Sequence, residues 1–157
     1  MGIPPYGKAL MSGYNEDAYR DARDSTIAIK CPFERALLSK CSNCALAKRL
    51  LLAEREAISC TDQAAKAQCQ ALHEALHANA RFALQMDPAA PWPFGKEIRA
   101  QCGGMLGLKA VLNDDGEATD IHGLIQAGIA RFGDIEAFPY SEIMRGVVHY
   151  EPRKRRN

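Results

Sequence analysis

The sequence predicts an all-α protein, a helical bundle of about four to five helices with irregular termini. Three observations predict it. Residues 33–86 contain neither glycine nor proline and are dominated by Ala, Leu, Lys, Glu and Arg, which sums to strong helix propensity over a long window. Further along, apolar residues recur three and four apart, as on one buried helix face. Only Thr26-Ile27-Ala28-Ile29 reads as extended, and it is too brief for more than a short strand or a linker.

Residues 1–14 carry prolines and glycines and read as an irregular arm; Asn15-Glu16-Asp17 then starts a short helix over residues 18–24. Within residues 33–86, Cys41-Ser42-Asn43-Cys44 interrupts good helix formers with residues that favour turns. The main break is at Thr61-Asp62, either of which can cap the next helix. On that helix Cys69, Leu72, Leu76, Ala80 and Ala83 share one face. A proline-rich turn at residues 87–95 ends it, and a third helix is expected over residues 96–113. A fourth starts at a Thr119 or Asp120 cap, turns Ile121, Leu124, Ile125, Gly128, Ile129 and Phe132 inward, and stops at Gly133. Phe138-Pro139-Tyr140 breaks the chain before a last short element over residues 142–150. Residues 1–150 thus read as one helical metal-binding domain, and 151–157 as a basic tail.

Composition narrows the function classes. Hydrophobic residues make 47% and charged residues 25% of the 157 residues, which excludes a wholly disordered chain. A net charge of +1 gives no global field toward nucleic acid or anionic membrane. Contact with nucleic acid is expected only through the tail, Arg153-Lys154-Arg155-Arg156-Asn157. The first residues lack the basic and apolar regions of a signal peptide, and no run approaches the ~18 apolar residues of a membrane span. A cytoplasmic protein with no membrane contact is expected, in which thiols stay reduced.

Six cysteines are then the anomaly, and in a reducing compartment clustered cysteines point to metal. They run Cys31-x9-Cys41-x2-Cys44-x15-Cys60, then Cys69, then Cys102-Gly103-Gly104. The C-x2-C pair is a common local unit of iron–sulfur sites. Pro32 holds Cys31 extended, and the glycines after Cys102 permit close approach of backbone to a bulky inorganic core. The expected ligands are Cys31, Cys41, Cys44, Cys60 and Cys102, and the expected cofactor is an iron–sulfur cluster, [4Fe-4S] first. Zinc is the alternative, disfavoured because structural zinc sites usually pair two such hooks. Cys69, mid-helix on an apolar face, reads as core packing.

The layout of one distant cysteine, a C-x2-C pair and another distant cysteine resembles the cluster loops of endonuclease III-like glycosylases and iron–sulfur helicases. The resemblance covers Cys31 to Cys60 alone, with different spacers, and implies the cluster chemistry only.

Geometry divides the thiols. A straight helix from Cys44 to Ser59 would span roughly 24 Å and hold Cys44 away from Cys60. Three antiparallel helices turning near Asn43 and Cys60 place Cys31, Cys60 and Cys69 at one end, or Cys41, Cys44 and Cys102 at the other.

His73-Glu74-Ala75-Leu76-His77 matches the H-E-x-x-H string of zinc hydrolases. It lacks the longer motif extension, and a third ligand would have to be a distant residue such as Glu136 or Glu142. Ligation of a mixed Cys/His site by His73 or His77 is also open, since both follow Cys69 on one helix; His122 and His149 stand alone. No phosphate loop surrounds Gly103-Gly104. No residue reads as acid, base or nucleophile beside a pocket. The sequence therefore favours a non-enzymatic cluster protein for electron transfer or redox sensing with a protein redox partner. Its rivals are a zinc-stabilised interaction module and a zincin-like hydrolase.

Overall fold

The computed structural model describes residues 16–151. The expected N-terminal arm and the basic tail lie outside them. The chain runs through α1 (Glu16–Thr26), α2 (Glu34–Leu38), β1 (Ala47–Leu52), β2 (Arg55–Cys60), α3 (Gln63–Ala83) and α4 (Phe94–Ile98). A π-helical turn, Arg99–Gly103, joins α4 to α5 (Gly104–Val111); α6 (Ile121–Phe132), a 3₁₀ turn (Ile135–Ala137) and α7 (Tyr140–His149) follow.

The all-α expectation is overturned by an antiparallel hairpin, β1–β2, so the fold is mixed α/β with helix predominant. The register pairs Ala47 with Cys60 and Leu52 with Arg55, where a continuous helix was expected. The reason is tertiary. Leu50, Leu52 and Ala57 pack with Tyr19 and Ile27 in a small cluster under α1, while Ile58 faces the main core. Alternate side chains therefore reach opposite faces, as only a strand allows. Ala53 and Glu54 make the turn with φ of 47° and 66°, the left-handed pair that a two-residue hairpin turn requires. Glu34 holds the strand in place: its Oε2 accepts from Ile58 N at 2.9 Å and its Oε1 meets Arg23 at 3.1 Å.

Elsewhere the local signals act as the sequence predicts. Asp62 Oδ1 accepts from Ala65 N at 3.0 Å and caps α3, which buries Cys69, Leu72, Leu76 and Ala80. Asp120 caps α6 through Gly123 N at 2.9 Å, and Gly133 closes that helix at φ 104°. The expected third helix is interrupted by the π turn. Beyond it α5 lies against α7 backbone to backbone: a Cβ on Gly107 would overlap the Ile143 carbonyl, and one on Gly103 the Gly146 carbonyl. No helix among the described residues is long and apolar enough to cross a membrane.

Candidate metal centre

Four cysteines from four segments meet beneath the hairpin. Cys31 precedes α2, Cys44 precedes β1, Cys60 ends β2 and Cys69 lies two turns into α3; all four are free thiols lining one apolar cavity of about 10 Å³.

Each is positioned by backbone pairing. Lys30 bridges to Ser59 and Cys60 N donates to Ile29 O at 2.9 Å, which lays Cys31 beside Cys60. Cys44 sits between two tethers. Asn43 N donates to Thr119 O at 2.9 Å and its carbonyl accepts from Ile121 N at 2.8 Å, while Ala45 N donates to Asp120 Oδ1 at 2.9 Å. Asp120 thus caps α6 with one oxygen and fixes the Cys44 loop with the other. The hairpin does the rest, returning the chain so that Cys60 comes back to the start of β1. The expected separation of Cys44 from Cys60 disappears because the segment between them doubles back.

The thiols sense one another. Burial pushes the Cys31 thiol up to about 12 against a hydrogen bond from the Phe33 backbone, and Cys44 and Cys60 add to the rise. Burial also pushes Cys69 up to about 12, followed by the effects of Cys31, Cys44 and Cys60. Without metal these two are neutral thiols at physiological pH; a bound cation inverts that preference and deprotonates its sulfur ligands. Among the described residues only one His/Glu trio brings three ligand atoms within 4.8 Å of one another, so no three of these sulfurs are that close. Four sulfurs on one zinc ion, each at ~2.3 Å, stand about 3.8 Å apart.

The other two cysteines leave the expected ligand set. Cys41 and Cys102 form a disulfide with Cα atoms 5.9 Å apart, so neither sulfur is a free thiolate. Cys102 is fully buried in the π turn, with Ser39 Oγ 3.4 Å from its sulfur. The C-x2-C pair is therefore split, one member to the disulfide and one to the cavity. Cys69, which reads as core packing, joins the quartet. Its signal in the sequence was its place two turns after a capped helix start that itself follows Cys60. His122 also lines the cavity, from the first turn of α6.

The histidine string is on α3 as predicted, with a carboxylate the sequence did not indicate. His73 and His77 face Glu97 of α4: Glu97 Oε2 accepts from His73 Nε2 at 3.0 Å, and Oε1 lies 2.8 Å from His77 Nε2. The latter contact lacks hydrogen-bond alignment, and His77 Nε2 is buried without another partner. Burial alone would raise Glu97, but His73, His77 and Gln101 outweigh it and hold the carboxyl well below the usual range. Glu97, not Glu136 or Glu142, completes this group. Glu74 is exposed and bound to Gln70 at 3.1 Å.

No protein-family model, curated protein or solved structure matches the chain.

Proposed function

We propose that the protein holds an iron–sulfur cluster, four-iron in type, on Cys31, Cys44, Cys60 and Cys69, and serves electron transfer or redox sensing. The observation that carries this reading is the meeting of four free thiols around one apolar cavity. Four cysteine thiolates are the ligand complement of such a cluster. The cavity of about 10 Å³ has room for about one water-sized body, so seating a four-iron core requires the thiols to move apart, and a single zinc ion is the second reading. A cluster with all four positions taken by protein has no open site for substrate, so the cluster itself reads as a redox centre. Its partner is a protein that accepts or supplies electrons.

The reading includes a cytoplasmic location. The Cys41–Cys102 disulfide bears on that location, because disulfides are rare in reducing compartments and those found there are usually transient and catalytic or redox-sensing. That favours sensing. The test is anaerobic purification followed by iron and acid-labile sulfide assays, with about four of each expected per chain. Replacing Cys31, Cys44, Cys60 or Cys69 with Ala should abolish both. Stoichiometric zinc without sulfide would overturn the reading in favour of a zinc-stabilised module.

A further inference from the structure

We propose that His73, His77 and Glu97 form a second and separate metal site, for one divalent first-row transition ion such as zinc or iron(II). Their ligand atoms lie within 4.8 Å of one another. Two imidazoles and one carboxylate are the donor set of catalytic zinc and of mononuclear iron(II) centres with open positions. The two histidines are one turn apart on a 21-residue helix, so both rings project to the same side.

Tetrahedral bonds of ~2.0–2.2 Å set neighbouring ligand atoms about 3.3–3.5 Å apart. The three ligand atoms lie within 4.8 Å of one another; each imidazole faces a different Glu97 oxygen, at 3.0 Å and 2.8 Å, so an ion would sit between the two rings and the carboxylate edge. His77 Nε2, buried and without an aligned partner, is a donor atom that an ion would satisfy.

The surroundings orient the ligands. Gln101 Nε2 donates to Glu97 Oε2 at 2.6 Å, and Gln101 is itself fixed by Ala36 N, which donates to its Oε1 at 2.9 Å. His77 stacks on Trp92 with ring centres 4.0 Å apart, and Phe33 meets His73 edge-on at 5.7 Å. Outer contacts of this kind hold ligand rings and carboxylates in the geometry a metal needs. A cavity of about 370 Å³ adjoins His73, Glu97 and Trp92. It leaves room for water or a small ligand on the ion's open side.

The three ligands are distinct from the four thiols, although Cys31 lines the adjoining cavity as well as the thiol cavity, and the experiment separates the two by ligand chemistry. Co²⁺ is titrated anaerobically into purified wild-type protein and Glu97→Gln, with bound metal counted and the visible spectrum recorded. The wild type should take up one Co²⁺ more than Glu97→Gln, and the difference spectrum should show ligand-field bands without sulfur charge-transfer intensity. That difference is one ion whatever fills the thiol cavity, so failure here and failure of the cluster reading are told apart. Gln101→Ala, which leaves all three ligands in place, should weaken the extra ion by about 10–100-fold and serves if Glu97→Gln does not fold. Equal Co²⁺ uptake and affinity in wild type and the folded variant, or sulfur bands in the difference spectrum, would overturn the site.

Discussion

The hairpin and helix α3 stand next to each other in the chain and draw on the same residues, chiefly Ala, Leu, Lys, Arg and Glu, yet one is extended and the other helical. Helix α3 starts at Asp62, which caps it, and keeps one stripe inward. The hairpin has no such cap and is covered on two sides, by α1 below Ala57 and by the main core above Ile58. Propensity decides where a single face is buried and caps are present; where neighbouring residues must pack to opposite sides, as Ala57 and Ile58 do, packing overrides it. The two modes also share the thiols. A doubled-back strand pair brings together Cys44 and Cys60, which a helix would have separated, and the helix adds Cys69 from the side.

The sharpest way to break this comparison is to remove one thiol from each element. Cys60→Ala in the hairpin and Cys69→Ala on the helix should abolish bound iron equally, as read by metal and sulfide assay. Cys41→Ser/Cys102→Ser should instead retain iron while losing up to about 4 kcal/mol in urea unfolding under oxidising conditions. That is the chain-entropy value for a bridge across 61 residues.

Smaller changes sharpen the comparison at the element ends. Asp62→Ala removes the cap of α3 and should cost about 0.5–2 kcal/mol. In the hairpin, Ala53→Asn/Glu54→Gly relieves two left-handed residues that cost roughly 1–2 kcal/mol apiece. It should raise stability by about 1 kcal/mol with metal content unchanged. A decrease would show that the turn residues make contacts that outweigh their strain.

The smallest effect lies outside both elements. Tyr140 donates to Ile135 O at 2.6 Å, and burial, then Glu136 and Asp134, push its hydroxyl up to about 12. A value raised above the unfolded ~10 means stability that is complete below pH 10 and lost as pH rises toward 12. Tyr140→Phe should flatten that alkaline loss relative to wild type in pH-dependent denaturation.

Much of this was legible residue by residue. The caps Asp62 and Asp120, the stop at Gly133 and the inward stripe of α3 follow from local chemistry that leaves a local mark. The hairpin leaves none, because Ala53-Glu54 lacks the Asn or Gly that marks such a turn. The same gap divided the thiols. With residues 44–59 drawn as a rod, Cys44 fell with Cys41 and Cys102, apart from Cys31, Cys60 and Cys69. Glu97 was hidden for a different reason: its role depends on how α4 docks against α3, which no spacing within either segment records.

The π turn at Arg99–Gly103 has a consequence for how the molecule can change. Upstream, Glu97 is indexed to two imidazoles; Gly103 at the end of the turn and Gly107 beyond it are indexed to the backbone of α7. A π turn carries one residue more than an α turn, and one residue turns a helix through about 100°. The wide turn is therefore a phase joint between two indexing marks on one rod. Deleting a single residue there is the smallest edit that would swing Glu97 off the imidazoles while leaving the glycine contact in register, so this carboxylate is connected or disconnected in one step.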